Sequence, residues 1–184
     1  MLRLPLLTHR TTMTILADWE IAAAAADFQM VEPFDPALVN PASLDVRLGD
    51  TLLIESAESP ELIPYSLAHH SQAKPYMQRR GQFVLGQTME RFNIPKDIAA
   101  QFLLKSSRAR EGLNHLLAGF IDPGFHGSVL TLELHNVRQL HPVALWPGMR
   151  IGQIVFHRMS AEPQACYAQT GRYNNDTTVQ GSRG

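Results

Sequence analysis

Residues 105–136 hold the groups whose types and spacing could do chemistry. Lys105-Ser-Ser-Arg-Ala-Arg110 sets three cations and two hydroxyls in six residues, with Gly112 close behind. Hydroxyls and backbone N–H groups can cradle phosphate oxygens while Lys105, Arg108 and Arg110 supply charge. The same run would also serve as a solvated basic turn with serine caps. Asp122 opens Asp122-Pro-Gly124, a turn in which aspartate often bonds only its own backbone. Glu133 stands between Leu132 and Leu134 in an apolar run. By strand alternation its carboxylate faces away from both neighbours, either to solvent or into a cleft. In a cleft, desolvation would raise it toward general-base range.

The elements that must position these groups read as mainly β. One helix is expected over 15–28, with Asp18 as N-cap, Glu20 in the first turn and an alanine run of high helix propensity. Its apolar face would be Ile15, Leu16, Trp19, Ala22, Ala23 and Ala26, at helical spacing. Pro33 and Pro36 then force extended chain. Ser43–Asp50 alternates polar and apolar residues, the mark of a half-buried strand. Further strands are expected at 51–55, 82–89, 98–104, 129–134, 144–146 and 151–157, separated by turn signals such as Asp122-Pro-Gly124 and Pro147-Gly148. Residues 56–81 contain three prolines and the His69-His70 pair and read as irregular chain with one short strand at most. Short strands at this spacing imply a sandwich, jelly roll or barrel. The organisation expected is a possible extension or misassigned start over 1–12, one β domain over 13–167, and a mobile C-terminal lid over 168–184.

Composition excludes several functions. Sixteen Lys and Arg against 17 Asp and Glu give a net charge of −1, without the massed positive charge of a general nucleic-acid binder. The chain is 45% hydrophobic, enough for a core, and no apolar run approaches the roughly 20 residues of a membrane span. No secretory h-region is legible, so a cytoplasmic protein without membrane attachment is expected. Cys166 is the sole cysteine, which excludes an intrachain disulfide and a cysteine-based zinc cluster. The His, Cys and Glu spacing of zinc-dependent nucleobase deaminases is missing.

Six ordered blocks give the chain a resemblance. Pro41-Ala-Ser-Leu-Asp-Val-Arg-Leu-Gly49, Gly86-Gln-Thr-Met-Glu-Arg91, Lys105-Ser-Ser-Arg-Ala-Arg-Glu-Gly-Leu113, Ala118-Gly-Phe-Ile-Asp-Pro-Gly-Phe125, Leu132-Glu-Leu-His-Asn136 and Pro147-Gly-Met-Arg-Ile-Gly-Gln153 resemble the dCTP deaminases of the deaminase–dUTPase superfamily. The resemblance implies a distorted, dUTPase-like jelly-roll domain with an N-terminal helix, assembled as a homotrimer with sites between subunits. It implies metal-free hydrolytic deamination of dCTP to dUTP and ammonia, feeding pyrimidine deoxynucleotide synthesis. Magnesium would arrive on the triphosphate, no zinc would be used, and dTTP could inhibit. Glu133 matches the general base and acid; Ser106 and the Ala118 carbonyl match groups holding the attacking water; Arg110 matches an arginine that orients it and favours ionised Glu133. Lys105, Ser107, Arg108 and Ala109 match nucleotide contacts, as do Asp122 at the deoxyribose, Thr131 and Leu132 along the base, and Gln153, Tyr167 and Arg172 later on.

Three departures carry expectations of their own. Asp122 and Glu133 are one residue further apart than in the family, so a bulge near Ser128–Leu130 must absorb the slip and keep Glu133 in the cleft. In the tail, Tyr173-Asn-Asn-Asp176 puts a carboxylate where the family has glutamine, which beside phosphates needs magnesium or Arg172 to offset it. His126 reads as an exposed turn residue. Two other functions stay open: a bifunctional enzyme that also hydrolyses the α–β phosphoanhydride through Asp122 and releases dUMP and pyrophosphate, and a non-catalytic nucleotide-binding regulatory trimer.

Overall fold

The computed structural model describes residues 14–184, so the expectation for 1–12 lies outside the described residues. In chain order the strands are β1 Val31–Glu32, β2 Val39–Asn40, β3 Ser43–Arg47, β4 Thr51–Ser56, β5 Ser59–Ser66, β6 Tyr76–Gln78 and β7 Phe83–Asn93. They continue as β8 Ile98–Leu104, β9 Leu113–Asn114, β10 Phe120–Ile121, β11 His126–Asn136, β12 Val143–Leu145 and β13 Arg150–Arg158. α1 Asp18–Phe28 precedes the strands, a 3-10 turn at Pro36–Leu38 and α2 Ser106–Arg110 interrupt them, and α3 Tyr167–Thr170 follows them.

The strands form two main sheets and a small ribbon. One sheet has the order β5-β4-β7-β11-β9, with β1 also on β7; the other runs β10-β8-β13-β3-β2; β12 pairs β6. Phe92, Leu132 and Leu134 from the first sheet meet Leu44, Phe102, Ile154 and Phe156 from the second in one buried cluster. A mainly β sandwich of the expected class results, its chemistry-bearing strand β11 lying between the central β7 and the short edge strand β9 of the first sheet.

Local corrections have plain causes. The helix starts at Asp18, not Ile15: Leu16 donates its N–H to Phe156 and Ile15 bridges His157, which makes Ala17 the N-cap. Glu20 closes that end by accepting the Ala17 N–H at 3.0 Å. An alanine run is apolar on every side, so its period could not select the packed face. Ile21, Ala24 and Ala25 are buried, while Trp19 is 70% exposed. Strand β3 is buried on both faces, Ser43 and Asp45 included, instead of half-buried. Residues 56–81 hold two strands, and β5 accommodates Pro60 and Pro64 because it lies at a sheet edge, where a missing N–H costs no ladder bond.

Candidate active site

Strands β7 and β11, each 11 residues long, pair antiparallel and form the floor of the site. Their register breaks twice. Gly127, at φ +66°, is the extra residue between the pairs His126–Asn93 and Ser128–Phe92. Leu130 alone then faces Thr88, Met89 and Glu90, between the pairs Val129–Arg91 and Thr131–Gln87. Thr88 closes this gap by accepting the Leu130 N–H on Oγ1 at 2.9 Å. One irregularity therefore lies just before the stretch where a bulge was expected, and the other, the wider one, falls at Leu130 within it but inserts its extra residues in β7. From Thr131 to His135 the register is continuous, so Thr131 and Glu133 share one face with Leu85, the residue opposite Glu133. Leu132 and Leu134 fill the core behind them.

That face lines a cleft of about 510 Å³. Its walls are largely apolar, with Leu62, Phe83, Leu85, Phe120 and Phe125, and they carry Glu133, Asp122 and Tyr167. Burial among these groups pushes the Glu133 carboxyl above its ordinary value, and a backbone hydrogen bond offsets this only in part. Asp122 reaches the cleft from just after β10, a strand of the other sheet, on a turn that Gly124 allows at φ +87° and that Phe125 closes by donating its N–H to the Asp122 carbonyl. Among the described residues the Asp122 side chain takes no hydrogen bond, so its carboxylate is free for a ligand.

The remaining anticipated residues divide. Thr131 and Tyr167 line the cleft. Leu132 is 2% exposed and points into the core, so only its backbone could face a base. Lys105, Ser106, Ser107, Arg108, Ala109, Arg110, Ala118, Gln153 and Arg172 are not on the wall of this protomer's cleft. Lys105 is held by buried Asp45, and Arg108 lies over Trp146 at 5.7 Å and pairs with Glu111 at 2.7 Å. Ser106, Ser107, Ala109, Arg110 and Ala118 are exposed. Arg110 does not line the cleft that holds Glu133, so the single chain does not bring the two together there. Gln153 sits on β13 between Asp45 and Leu103, in the other sheet.

The polar tail, expected as a lid, folds across the mouth of the cleft. Tyr173, Asp176, Gln180, Gly181 and Ser182 line it. The tail is tied to β11 and β7: Val129 donates its N–H to the Asp176 carbonyl at 2.9 Å, Ser128 Oγ donates to the Tyr173 carbonyl at 2.8 Å, and Val179 donates to Gln87 Oε1 at 2.7 Å. His126 is half-buried at the base of this docking rather than exposed on a turn. Ser128 and Tyr173 were singled out only as parts of the expected bulge and tail motif, and Gln87 only inside a motif block, not as the groups that dock the tail.

Among the described residues no three His, Cys, Asp or Glu side chains converge on a metal-sized site, and no helix is long and apolar enough to cross a membrane. The chain is similar along nearly its whole length to proteins of one kind. A "dCTP deaminase, dUMP-forming" of Pseudarthrobacter chlorophenolicus is 42% identical, over 92% of both chains. One of the same name from Kocuria rhizophila is 43% identical, covering 84% of this chain and 82% of that one. The crystal structure of the 2′-deoxycytidine 5′-triphosphate deaminase of Agrobacterium tumefaciens superposes with a TM-score of 0.64 at 26% identity, over 80% of this chain and 48% of that longer chain. The sequence profile of the dCTP deaminase-like family spans residues 15–159, from just before α1 to the residue after β13. With Glu133, Asp122 and the bulged strand between them inside that span, the chain belongs to the dCTP deaminase-like family.

Proposed function

We propose that the protein converts dCTP, bound as its magnesium complex, into dUMP, ammonia and pyrophosphate at one site. The observation that carries this reading is the presence of two carboxylates with different surroundings on one cleft, Glu133 desolvated and Asp122 exposed. Environments that separate two carboxyls suit them to different roles. The names of the relatives favour dUMP as product over the dUTP that the motifs alone imply.

Glu133 takes a proton from water as that water attacks C4 of the cytosine ring. The proton passes to N3, and a second transfer lets the amine leave as ammonia, which restores a C4 carbonyl. General acid–base help of this kind is worth about 10²–10⁴ in rate. A second water, held by Asp122, attacks the α-phosphorus and pyrophosphate leaves. Two waters enter, and ammonia and pyrophosphate depart. Magnesium arriving on the triphosphate would supply neutralisation of phosphate charge, with Asp122 the exposed carboxylate on the cleft that could meet it. The exposed groups of α2, with the Ala118 carbonyl, serve the cleft of a neighbouring protomer in a homotrimer. That arrangement gives Ser106 and Arg110 a water to hold and Glu133 the cation it lacks in its own protomer.

Product analysis tests the reading. Wild type should form ammonia, dUMP and pyrophosphate from dCTP in equal amounts, and Asp122→Asn should lose pyrophosphate formation by about 10²-fold or more. Ammonia with dUTP as the end product would contradict the second step; no ammonia at all would contradict both.

A further inference from the structure

A carboxylate at residue 176 puts negative charge on the wall of a cleft read here as a triphosphate site, and such a charge needs a positive partner. Arg172 is not that partner. Arg183 is: its Nη2 donates to Asp176 Oδ1 at 2.6 Å and to Gln180 Oε1 at 3.1 Å. Its guanidinium stacks on the Tyr173 ring at 5.0 Å, its backbone N–H donates to the Tyr173 hydroxyl at 3.0 Å, and its Nη1 bonds the Arg172 carbonyl. One side chain thereby ties together the tail residues Tyr173, Asp176 and Gln180, all three of which line the cleft.

Asp176 is anchored on its other side as well. Its N–H donates to Ser128 Oγ at 3.0 Å and its carbonyl accepts the Val129 N–H, both at the bulge of β11. Its side chain is 13% exposed, and Oδ2 is buried without a partner. An exposed ion pair by itself contributes little. Here the carboxylate is mostly out of water, so removing Arg183 would leave a buried charge with no counterion, the costly way to break a pair. The tail would have to lift to rehydrate it.

We propose that the Asp176–Arg183 pair is a latch that holds the tail as the outer wall of the cleft, and that Arg183 is a positioning residue which sets Tyr173 and Gln180 against the substrate. The substrate half of this statement rests on the nucleotide reading above, whereas the latch itself does not. The guanidinium touches no reacting atom and acts through the tail.

The test compares wild type, Arg183→Ala and the charge-exchanged pair Asp176→Arg with Arg183→Asp, by amide hydrogen exchange and by steady-state turnover of dCTP. Arg183→Ala should speed exchange over residues 172–184 and at the Val129 amide by about tenfold or more, with the other strands unchanged. KM for dCTP should rise about tenfold while kcat changes less than about threefold, because the lost group orders the wall and does not join the chemistry. The charge-exchanged pair should recover much of both effects. Exchange and KM within about twofold of wild type in Arg183→Ala would overturn the latch, as would an exchanged pair no better than the single variant. Wild type without dCTP turnover would defeat the nucleotide reading alone, since the exchange arm decides the latch in either case.

Discussion

Lys105 donates to both carboxylate oxygens of Asp45, each at 2.6 Å, across the junction between α2 and β3. Asp45 is 1% exposed and also accepts from Asn40 at 2.9 Å, with Arg150 at 3.5 Å. Lys105, by sequence a free phosphate cation, is thus the anchor of the basic helix to the second sheet. Of the three cations in this run only Arg110 belongs to an exposed residue, so on the proposed function it is the one the run offers to a triphosphate.

Removing the lysine should cost more stability than neutralising the aspartate. Lys105→Ala leaves a buried carboxylate to the distant Arg150 and should destabilise by about 2–4 kcal/mol. Asp45→Asn leaves a lysine that can reach water and should cost about 1–2 kcal/mol. Urea unfolding of the two variants measures the order, and the reverse order would contradict the anchoring role.

A site shared between subunits predicts complementation. Glu133→Gln and Arg110→Ala should each be inactive as pure proteins. Unfolded together and reassembled at equal amounts, they should regain about a quarter of wild-type activity, since one site in four then combines an intact Glu133 with an intact Arg110 from its neighbour. A mixture no more active than its parents would place both groups in one protomer.

The raised Glu133 carboxyl also has a consequence for stability. Burial disfavours the ionised form, so between the ordinary glutamate value and the raised one the folded chain binds more protons than the unfolded chain. This contribution is present in full below the ordinary value and is lost as pH rises through the raised one. Glu133→Gln cannot ionise, so its stability relative to wild type should grow as pH rises through that window and level off above it. Denaturant unfolding of both proteins from about pH 4 to pH 8 reads the difference, and a flat difference would contradict the desolvated setting.

Much of the fold and part of the site were legible because they are local. Strand β8 was bounded correctly at both ends by alternation and turn residues, and Glu133 faces away from Leu132 and Leu134 as alternation requires, although alternation left open whether solvent or a cleft lay on that side. What escaped depends on distant partners. Asp45 reads as a solvent-facing residue of an alternating strand, and only Lys105, 60 positions away, explains its burial. The bulge was required by spacing, yet its larger half belongs to β7, a strand that carries no local sign of it. The clasp of Asp176 by Arg183 joins two positions in a polar tail whose composition resembles mobile chain.

The central claim is that Glu133 is the base that deaminates the cytosine ring, and ammonia release from dCTP by Glu133→Gln measures it most directly. The variant should stay folded, and at neutral pH be at least as stable as wild type, because it removes a desolvated carboxylate. It should release ammonia about 10²–10⁴ times more slowly than wild type. A folded Glu133→Gln protein that releases ammonia at the wild-type rate would contradict the account.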